Sequence, residues 1–220
     1  MFNESGKVIP LTLVEAGPCP VVQIKTDEQD GYQAIQIGFG DIKEKNVKKP
    51  QQGHFKKARL TKSYRYLREF KAEGLKVGDI LTVSIFDQGE AVKISGISKG
   101  KGFQGVVKRH GFKGSPASHG TKHNLRAPGS IGTSFPERVW KGKRMAGRMG
   151  SDRITLAGKL KVIQVDPDNH LLAVKGPLPG RKGTLLEIIS KGEINLDKKE
   201  EGKESGKPRE KSVEKEKKDN

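Results

Sequence analysis

Three histidines stand close together in the chain, and two of them have the spacing that zinc ligands use. His119 and His123 are four residues apart, and His110 precedes them. Two rings at that interval share one metal ion only when a helix turns them to the same face, and Gly120 between them disfavours a helix. No Cys or carboxylate lies nearby to complete a ligand set. We therefore expect no metal and no other cofactor, and we expect histidines that stack on bases or bond phosphate oxygens.

The run GKGFQG at Gly100–Gly105 has the GxGxxG form of a phosphate-binding loop, and Val107 extends it toward the kinase pattern. A dinucleotide-binding turn must open a helix and meet an acid about 20 residues later, but the next acid after Glu90 is Glu137. The other kinase motifs and the GxSxG of serine hydrolases are absent, and one acid makes no carboxylate pair. We expect no catalytic residue and no small-molecule substrate. Glycines here fit close approach of the backbone to a ligand.

The densest cationic run is Arg138–Met149 (RVWKGKRMAGRM), which interleaves one Trp with five Lys and Arg residues. A solvated charged face is the plainer explanation, but like charges at this density repel one another unless something neutralises them. Phosphates do so, Arg binds them bidentately, and an aromatic ring can stack on a base. The pattern favours RNA, and the candidate RNA-binding residues are Lys99, Lys101, Lys108, Arg109, His110, Lys113, His119, Lys122, His123, Arg126, Arg138, Trp140, Lys141, Lys143, Arg144 and Arg148.

The positive charge is concentrated in one part of the chain. The 220 residues carry a net charge of +17, and residues 99–150 account for +11 of it, with Glu137 as their single acid. The same 52 residues hold 11 of the 28 glycines and show no period of 2 or 3.6 in their apolar residues. A stretch of this kind buries no core of its own. We interpret residues 99–150 as a long, irregular, basic extension that becomes ordered against a polyanion.

The flanking sequence is typical of short strands that position this extension. Strands are predicted at Lys7–Glu15, Pro20–Lys25, Tyr32–Phe39, Ile80–Phe86, Ala91–Ser98, Leu160–Val165, Leu171–Lys175 and Leu185–Ile189, with Tyr64–Ala72 favouring strand over helix. Turn residues at 87–90 and 166–169 predict two hairpins. One short helical turn is expected at Pro50–Ala58. The fold class is mainly β, an antiparallel barrel formed by residues 1–98 and 151–190 and interrupted by the extension.

Several classes of protein are disfavoured by composition. No stretch approaches the ~20 apolar residues of a membrane span, and the first residues lack the basic start and apolar run of a secretory signal. The single cysteine, Cys19, forms no internal disulfide, which fits a reducing cytoplasm. Residues 191–220 hold ten basic and nine acidic residues and only three apolar ones, which predicts a disordered, solvated tail.

Two segments closely resemble the bacterial large-subunit ribosomal protein three family. They are GFQGVVKRHGFKGSPASHGTKHNLRAPGSIG at 102–132 and VWKGKRMAGRMG at 139–150, supported by LLAVKG at 171–176 and PGRKG at 179–183. The resemblance implies a six-stranded barrel of the translation-protein type and a cytoplasmic protein of the 50S subunit that binds 23S rRNA directly and acts early in assembly. It also implies that the neighbouring ribosomal proteins fourteen and nineteen are partners and that the protein does not bind a membrane.

The resemblance further assigns parts of the extension. Lys99–Arg126 and Lys141–Arg148 would form two legs of a stalk, and 129–138 its tip, near the peptidyl transferase centre. The tip residues are Gly129, Ser130, Ile131, Gly132, Thr133, Ser134, Phe135 and Pro136. The glutamine that some members carry methylated at the tip is absent. The strand GxxGxKxGMT with which many members begin is also absent, so either the start is mis-assigned or the barrel lacks an edge strand that something else must cover.

Three alternatives stay open at this level. A non-ribosomal RNA-binding assembly factor or regulator would share the basic extension but leave the mature subunit. An enzyme acting on nucleic acid would need an acid or metal cluster, for which only Glu137 is available. The aromatic residues Phe103, Phe112, Phe135 and Trp140 could stack on bases or pack within the stalk and on the barrel.

Overall fold

Strands dominate the computed structural model, which describes residues 1–2, 5–72 and 74–190. The described strands are β1 Leu11–Glu15, β2 Cys19–Lys25, β3 Ala34–Ile42, β4 Ser63–Phe70, β5 Ile80–Leu81, β6 Ala91–Ile97, β7 Gly102–Gln104, β8 Gly147–Met149, β9 Arg153–Asp166, β10 Leu171–Lys175 and β11 Leu186–Ile189. The α-helices are α1 Asp27–Asp30, α2 Lys49–Lys57 and α3 Val106–His110, and 3-10 turns cover Glu44–Asn46 and Val83–Ile85. The mainly β, antiparallel class is confirmed. The predicted tail at 191–220 lies outside the described residues.

The described chain divides into two compact units, residues 1–16 with 86–190 and residues 17–85. The first unit contains a five-stranded antiparallel sheet in the order β1-β10-β9-β6-β11. Its inner positions are β-branched or leucine and carry no exposed surface, namely Val92, Ile94, Val162, Leu172 and Val174. Side chains of this shape pack well on a pleated surface, so apolar burial holds this sheet together.

Strand β9 is fourteen residues long, and its pairing with β6 contains a bulge in its middle. Leu156 pairs with Ile94 and Leu160 with Val92, so three residues of β9 oppose one residue of β6. Gly158 lies in this bulge at φ +69°, a left-handed conformation that favours glycine. Beyond the bulge, Arg153 pairs with Ile97. The chain therefore leaves the sheet at residue 98 and returns at residue 152 side by side, and this pairing positions both ends of the extension.

The second unit contains a four-stranded antiparallel sheet in the order β4-β3-β2-β5. Helix α2 packs on it through Phe55, which is 3% exposed and lies in a cluster with Val22, Val47 and Ala58. The rings of Phe55 and Tyr64 meet edge to face with centroids 6.1 Å apart. A second buried cluster contains Val21, Ile35 and Leu75.

Most of the predicted strands are confirmed, but one hairpin is wrong. The turn at 166–169 does join β9 to β10, with Asp166 paired to Leu171. The predicted strand Ile80–Phe86 is shorter: β5 pairs with β2, and a 3-10 turn follows it. Strand β6 pairs with β9 and β11 instead of with β5, so residues 87–90 form a turn without a hairpin. The pattern failed here because turn residues mark a reversal of the chain but do not select the partner strand.

Two less regular segments of the sequence, 64–72 and 50–58, also form regular elements. The ambiguous segment Tyr64–Ala72 is strand β4, and the predicted turn at Pro50–Ala58 is the nine-residue helix α2. Closure of residues 1–98 and 151–190 into one six-stranded barrel stays a prediction.

None of the helices in the described part of the chain is long and apolar enough to cross a membrane.

Candidate nucleic-acid interface

The two ends of the extension, residues 99–150, are hydrogen-bonded to each other at its base. Ser98 N–H donates to the carbonyl of Asp152 over 2.9 Å, and Asp152 N–H donates to Ser98 Oγ over 3.2 Å. Strands β7 and β8 then pair antiparallel, with Gly102 opposite Met149. Each strand is only three residues long, so this ladder organises the base and leaves the rest of the extension irregular.

Helix α3 follows β7 and ties the two legs together by its side chains. Val106 is 2% exposed and is the one buried residue between positions 99 and 150, all of which are described. Arg109 Nη1 donates to the carbonyl of Met145 over 2.8 Å, and His110 Nε2 donates to the same oxygen over 3.1 Å. A Cβ at Gly147 would crowd the Arg109 guanidinium, so glycine leaves room for this side chain to reach the Met145 carbonyl. Both donors are half-buried and serve the protein itself.

His119 and His123 lie in a loop of the extension whose two ends are hydrogen-bonded to each other. Ser115 N–H donates to the carbonyl of Leu125 over 3.0 Å, which joins the two ends of the loop. Gly114 lies at φ +75°, and a Cβ there would meet the same carbonyl. His119, Lys122 and His123 lie between these ends, and all three are exposed. Among the described residues, no group of three or more His, Cys, Asp or Glu is placed to hold a metal ion.

The predicted tip, residues 129–138, is held by short local hydrogen bonds. Ser130 Oγ donates to the carbonyl of Gly132 over 2.7 Å, and Thr133 Oγ1 donates to that of Phe135 over 2.9 Å. The Phe135 ring is 87% exposed. Hydroxyl groups that bond backbone carbonyls two residues away shape a loop without any buried core. An exposed aromatic ring at the end of such a loop is available for contact with another molecule.

The charged side chains of the extension are almost all positive, and few negative charges balance them. Of the sixteen candidate RNA-binding residues, only Arg109 and His110 are half-buried, and the other fourteen are exposed. None of the Lys or Arg side chains of the extension forms a salt bridge within the described residues. Arg138 Cζ lies 5.9 Å from the ring centroid of Trp140, which is 61% exposed. The extension therefore exposes cations and aromatic faces, the groups that can bind a polyanion.

Sequence reasoning missed the internal role of two candidate residues. Arg109 and His110 were grouped with the phosphate contacts because they are basic, but both bond the Met145 carbonyl. A weak signal existed in Gly147, which stands between cationic residues in MAGRMG. A glycine between two long charged residues can mark a place where another chain segment crosses closely.

Comparison with known proteins gives one consistent answer. A family model described as ribosomal protein L3 matches residues 68–175. The chain is 51% identical over 194 residues to the large ribosomal subunit protein uL3 of Chloroherpeton thalassium, an alignment that covers 86% of this chain and 93% of that protein. It is also 51% identical over 191 residues to the uL3 of Carboxydothermus hydrogenoformans, covering 86% of this chain and 90% of that protein. The uL3 of Herpetosiphon aurantiacus is 50% identical over 193 residues, covering 86% and 89% respectively.

Proposed function

Since the chain belongs to the ribosomal protein L3 family, we propose that it binds 23S rRNA directly through its extension and that it enters the large subunit early in assembly. The protein is a structural constituent of the large ribosomal subunit in the cytoplasm, and it is not an enzyme. Its expected contacts are rRNA and other proteins of the large subunit.

One observation carries the proposal for RNA binding. The extension exposes fourteen of its sixteen candidate contact residues and pairs none of its Lys or Arg with a described carboxylate. Such a charge density destabilises an isolated protein through mutual repulsion, and a phosphate backbone removes that cost. Val106 is the single buried residue of the extension, and this also supports RNA binding, because beyond its base the extension has no core that would fix its path without a partner.

The extension divides into parts with different proposed roles. Exposed Lys and Arg on both legs contact phosphates and supply most of the affinity, whereas Trp140 and Phe135 stack or wedge between nucleotides. The tip at 129–138 lies near the peptidyl transferase centre. Ribosomal proteins fourteen and nineteen are neighbours of this protein in the subunit. Closure of the flanking strands into a six-stranded barrel would give this stalk a firm anchor.

Fractionation of the organism's ribosomes tests membership of the mature subunit. We expect the protein to remain with large subunits after a high-salt wash in an amount equal to the other proteins of that subunit. An assembly factor or regulator would instead appear on immature particles and be lost from washed, mature subunits.

Direct binding to 23S rRNA is tested with the purified full chain and a transcript. We expect the logarithm of the affinity to fall linearly with the logarithm of the salt concentration, with a slope of about −0.9 for each phosphate contacted. A binding constant that does not respond to salt would contradict binding through phosphates.

A further inference from the structure

A second cluster of positive charge lies in the four-stranded unit, outside the extension. Residues 43–62 carry eight basic residues and one acid, Glu44. All eight basic side chains are exposed. Averaging over residues 1–98 hides the cluster, because four acids lie between positions 15 and 30. The basic residues are Lys43, Lys45, Lys48, Lys49, Lys56, Lys57, Arg59 and Lys62.

Helix α2 arranges part of this cluster on one face. Phe55 and Ala58 are buried against the sheet, so the opposite side of the helix faces outward. At 100° per residue, Lys49, Lys56 and Lys57 fall on that outward side around Gly53. We call these four residues the α2 lysine face.

Glycine at position 53 lowers the stability of helix α2, and packing within the protein does not require a glycine there. It lies inside a helix, where glycine is less favourable than alanine by about 1 kcal/mol. Its φ angle is not in the left-handed range, and no atom lies within 4 Å of a Cβ built there. A position without a side chain between three lysines leaves the helix backbone open to close approach by another molecule.

The charges of the α2 lysine face are not compensated within the described residues. Lys62 pairs with Asp41 over 3.0 Å, but Lys49, Lys56 and Lys57 form no salt bridge with a described carboxylate. The first turn of α2 also holds no acid, and Lys48 and Lys49 lie at its positive end. Cations at that end of a helix are unfavourable for the isolated protein, whereas a bound anion reverses the sign of the interaction.

The helix is held rigidly beneath these charges. His54 Nε2 and Gln36 Oε1 are 2.7 Å apart, and Gln36 Nε2 donates to Glu69 Oε1 over 3.4 Å. Together with Phe55 in the core, these contacts fix the rotation of α2 on the sheet. A fixed platform loses little conformational freedom on binding.

We propose that the α2 lysine face is a second binding surface for the phosphodiester backbone of RNA. Lys49, Lys56 and Lys57 contact phosphates, and the bare position at Gly53 receives the sugar–phosphate chain between them. That this RNA is 23S rRNA rests on the proposed function. The face gives the four-stranded unit its own contact with RNA, so that the protein is attached at two places. Such bivalent attachment raises overall affinity without new contacts in the extension.

The first test neutralises the face in the full chain. The triple variant Lys49→Gln, Lys56→Gln, Lys57→Gln should bind the 23S transcript at least about tenfold more weakly, and its salt slope should fall by about 2 to 3. The matched control replaces Lys93, Lys161 and Lys175, exposed lysines of the five-stranded sheet, by Gln. The control should change affinity less than about twofold. Equal losses in the two triples would overturn the proposal, because only total charge would matter.

The second test uses Gly53 and separates binding from folding. Gly53→Leu should raise the Tm, because leucine favours a helix, and it should lower the affinity for RNA by blocking close approach. Gly53→Ala should raise the Tm with a smaller loss of affinity. A higher Tm with unchanged affinity in both variants would overturn the proposed contact at Gly53.

Failure of this inference and failure of the proposed function give different results. If the unaltered chain does not bind the transcript, the proposed function fails. If it binds, and Arg144→Glu with Arg148→Glu weakens binding while the α2 triple does not, only the second surface fails. A third result is that the triple variant binds the transcript with unchanged affinity and yet is absent from large ribosomal subunits in cells. That result would assign the α2 lysine face to an acidic protein and overturn the RNA assignment.

Discussion

Arg109 Nη1 donates a 2.8 Å hydrogen bond to the carbonyl of Met145, thirty-six residues further along the chain. This bond links helix α3 on the outgoing leg of the extension to the segment that precedes β8 on the returning leg. His110 donates to the same oxygen, and Gly147 gives the guanidinium its space. The base of the extension is therefore organised by contacts within the protein.

Replacing Arg109 by Ala should loosen this base without unfolding the sheets. A hydrogen bond from a charged donor contributes about 1.5–3 kcal/mol, and its loss here affects local opening. Hydrogen exchange of the Gly102–Gln104 amides in the free protein should accelerate by tenfold or more. A tenfold change corresponds to about 1.4 kcal/mol in the free energy of local opening. Lys108→Ala, at an exposed neighbour, is the control and should leave exchange unchanged. Equal exchange in the two variants would show that the bond does not hold the base.

Reversing charge on the returning leg should weaken rRNA binding more than the same reversal in the tail. Arg144→Glu with Arg148→Glu places two negative charges on exposed positions of the extension, and we expect affinity to fall by about tenfold or more. Lys215→Glu with Lys217→Glu makes the same change of net charge at positions outside the described residues. Filter binding at several salt concentrations measures both, and the accumulation of assembly intermediates in cells should follow the same order. Equal effects would indicate a response to total charge alone.

The Glu69 carboxylate should make folding of the four-stranded unit sensitive to acid. Hydrogen bonds from Tyr32 Oη at 2.9 Å and from Lys25 Nζ lower the pKa of Glu69 below its ordinary value of 4.5. A lowered pKa in the folded state gives stability that is present above pH 4.5 and is lost as the pH falls through the folded value. Thermal unfolding should therefore show a Tm difference between the unaltered chain and Glu69→Gln at pH 6 that vanishes in more acidic solution. Tyr32→Phe removes one donor, so it should reduce the difference, and a difference that grows in acid would contradict this sign.

Cys19 should react slowly with alkylating agents in the folded protein. Burial raises the pKa of its thiol from 9.0 to about 11, and Sγ donates to the carbonyl of Gly17 over 3.2 Å. Two pKa units correspond to about 100-fold less thiolate at pH 8, and the thiolate is the reactive form. Iodoacetamide labelling followed by mass spectrometry should be about 100-fold slower for the native chain than for the chain in urea. Similar rates in the two states would show that the thiol is not shielded by the fold.

Local features of the fold were predictable where they depend on neighbouring residues. Short apolar runs predicted β2 and β10 to within a residue, and the Asp-Pro-Asp-Asn turn predicted the β9–β10 hairpin. The pairing of β5 was not predictable in the same way. A two-residue strand carries almost no pattern, and its partner β2 is sixty residues earlier in the chain. The bulge at Gly158 was also missed, because it lengthens β9 on both sides of a glycine that interrupts the apolar run.

The sequence by itself determined where the positive charge is concentrated, and this predicts a polyanionic partner for residues 99–150. Charge and glycine content are sums over residues, so +11 in residues 99–150 points to a polyanion in any fold. Only the tertiary structure decided which basic side chains contact the protein itself and which are exposed. Arg109 and His110 face the Met145 carbonyl, whereas Lys49, Lys56 and Lys57 lie together on the outward side of α2. The physical reason is that a side chain's partner depends on which atoms folding brings within about 3 Å, and composition does not specify that distance.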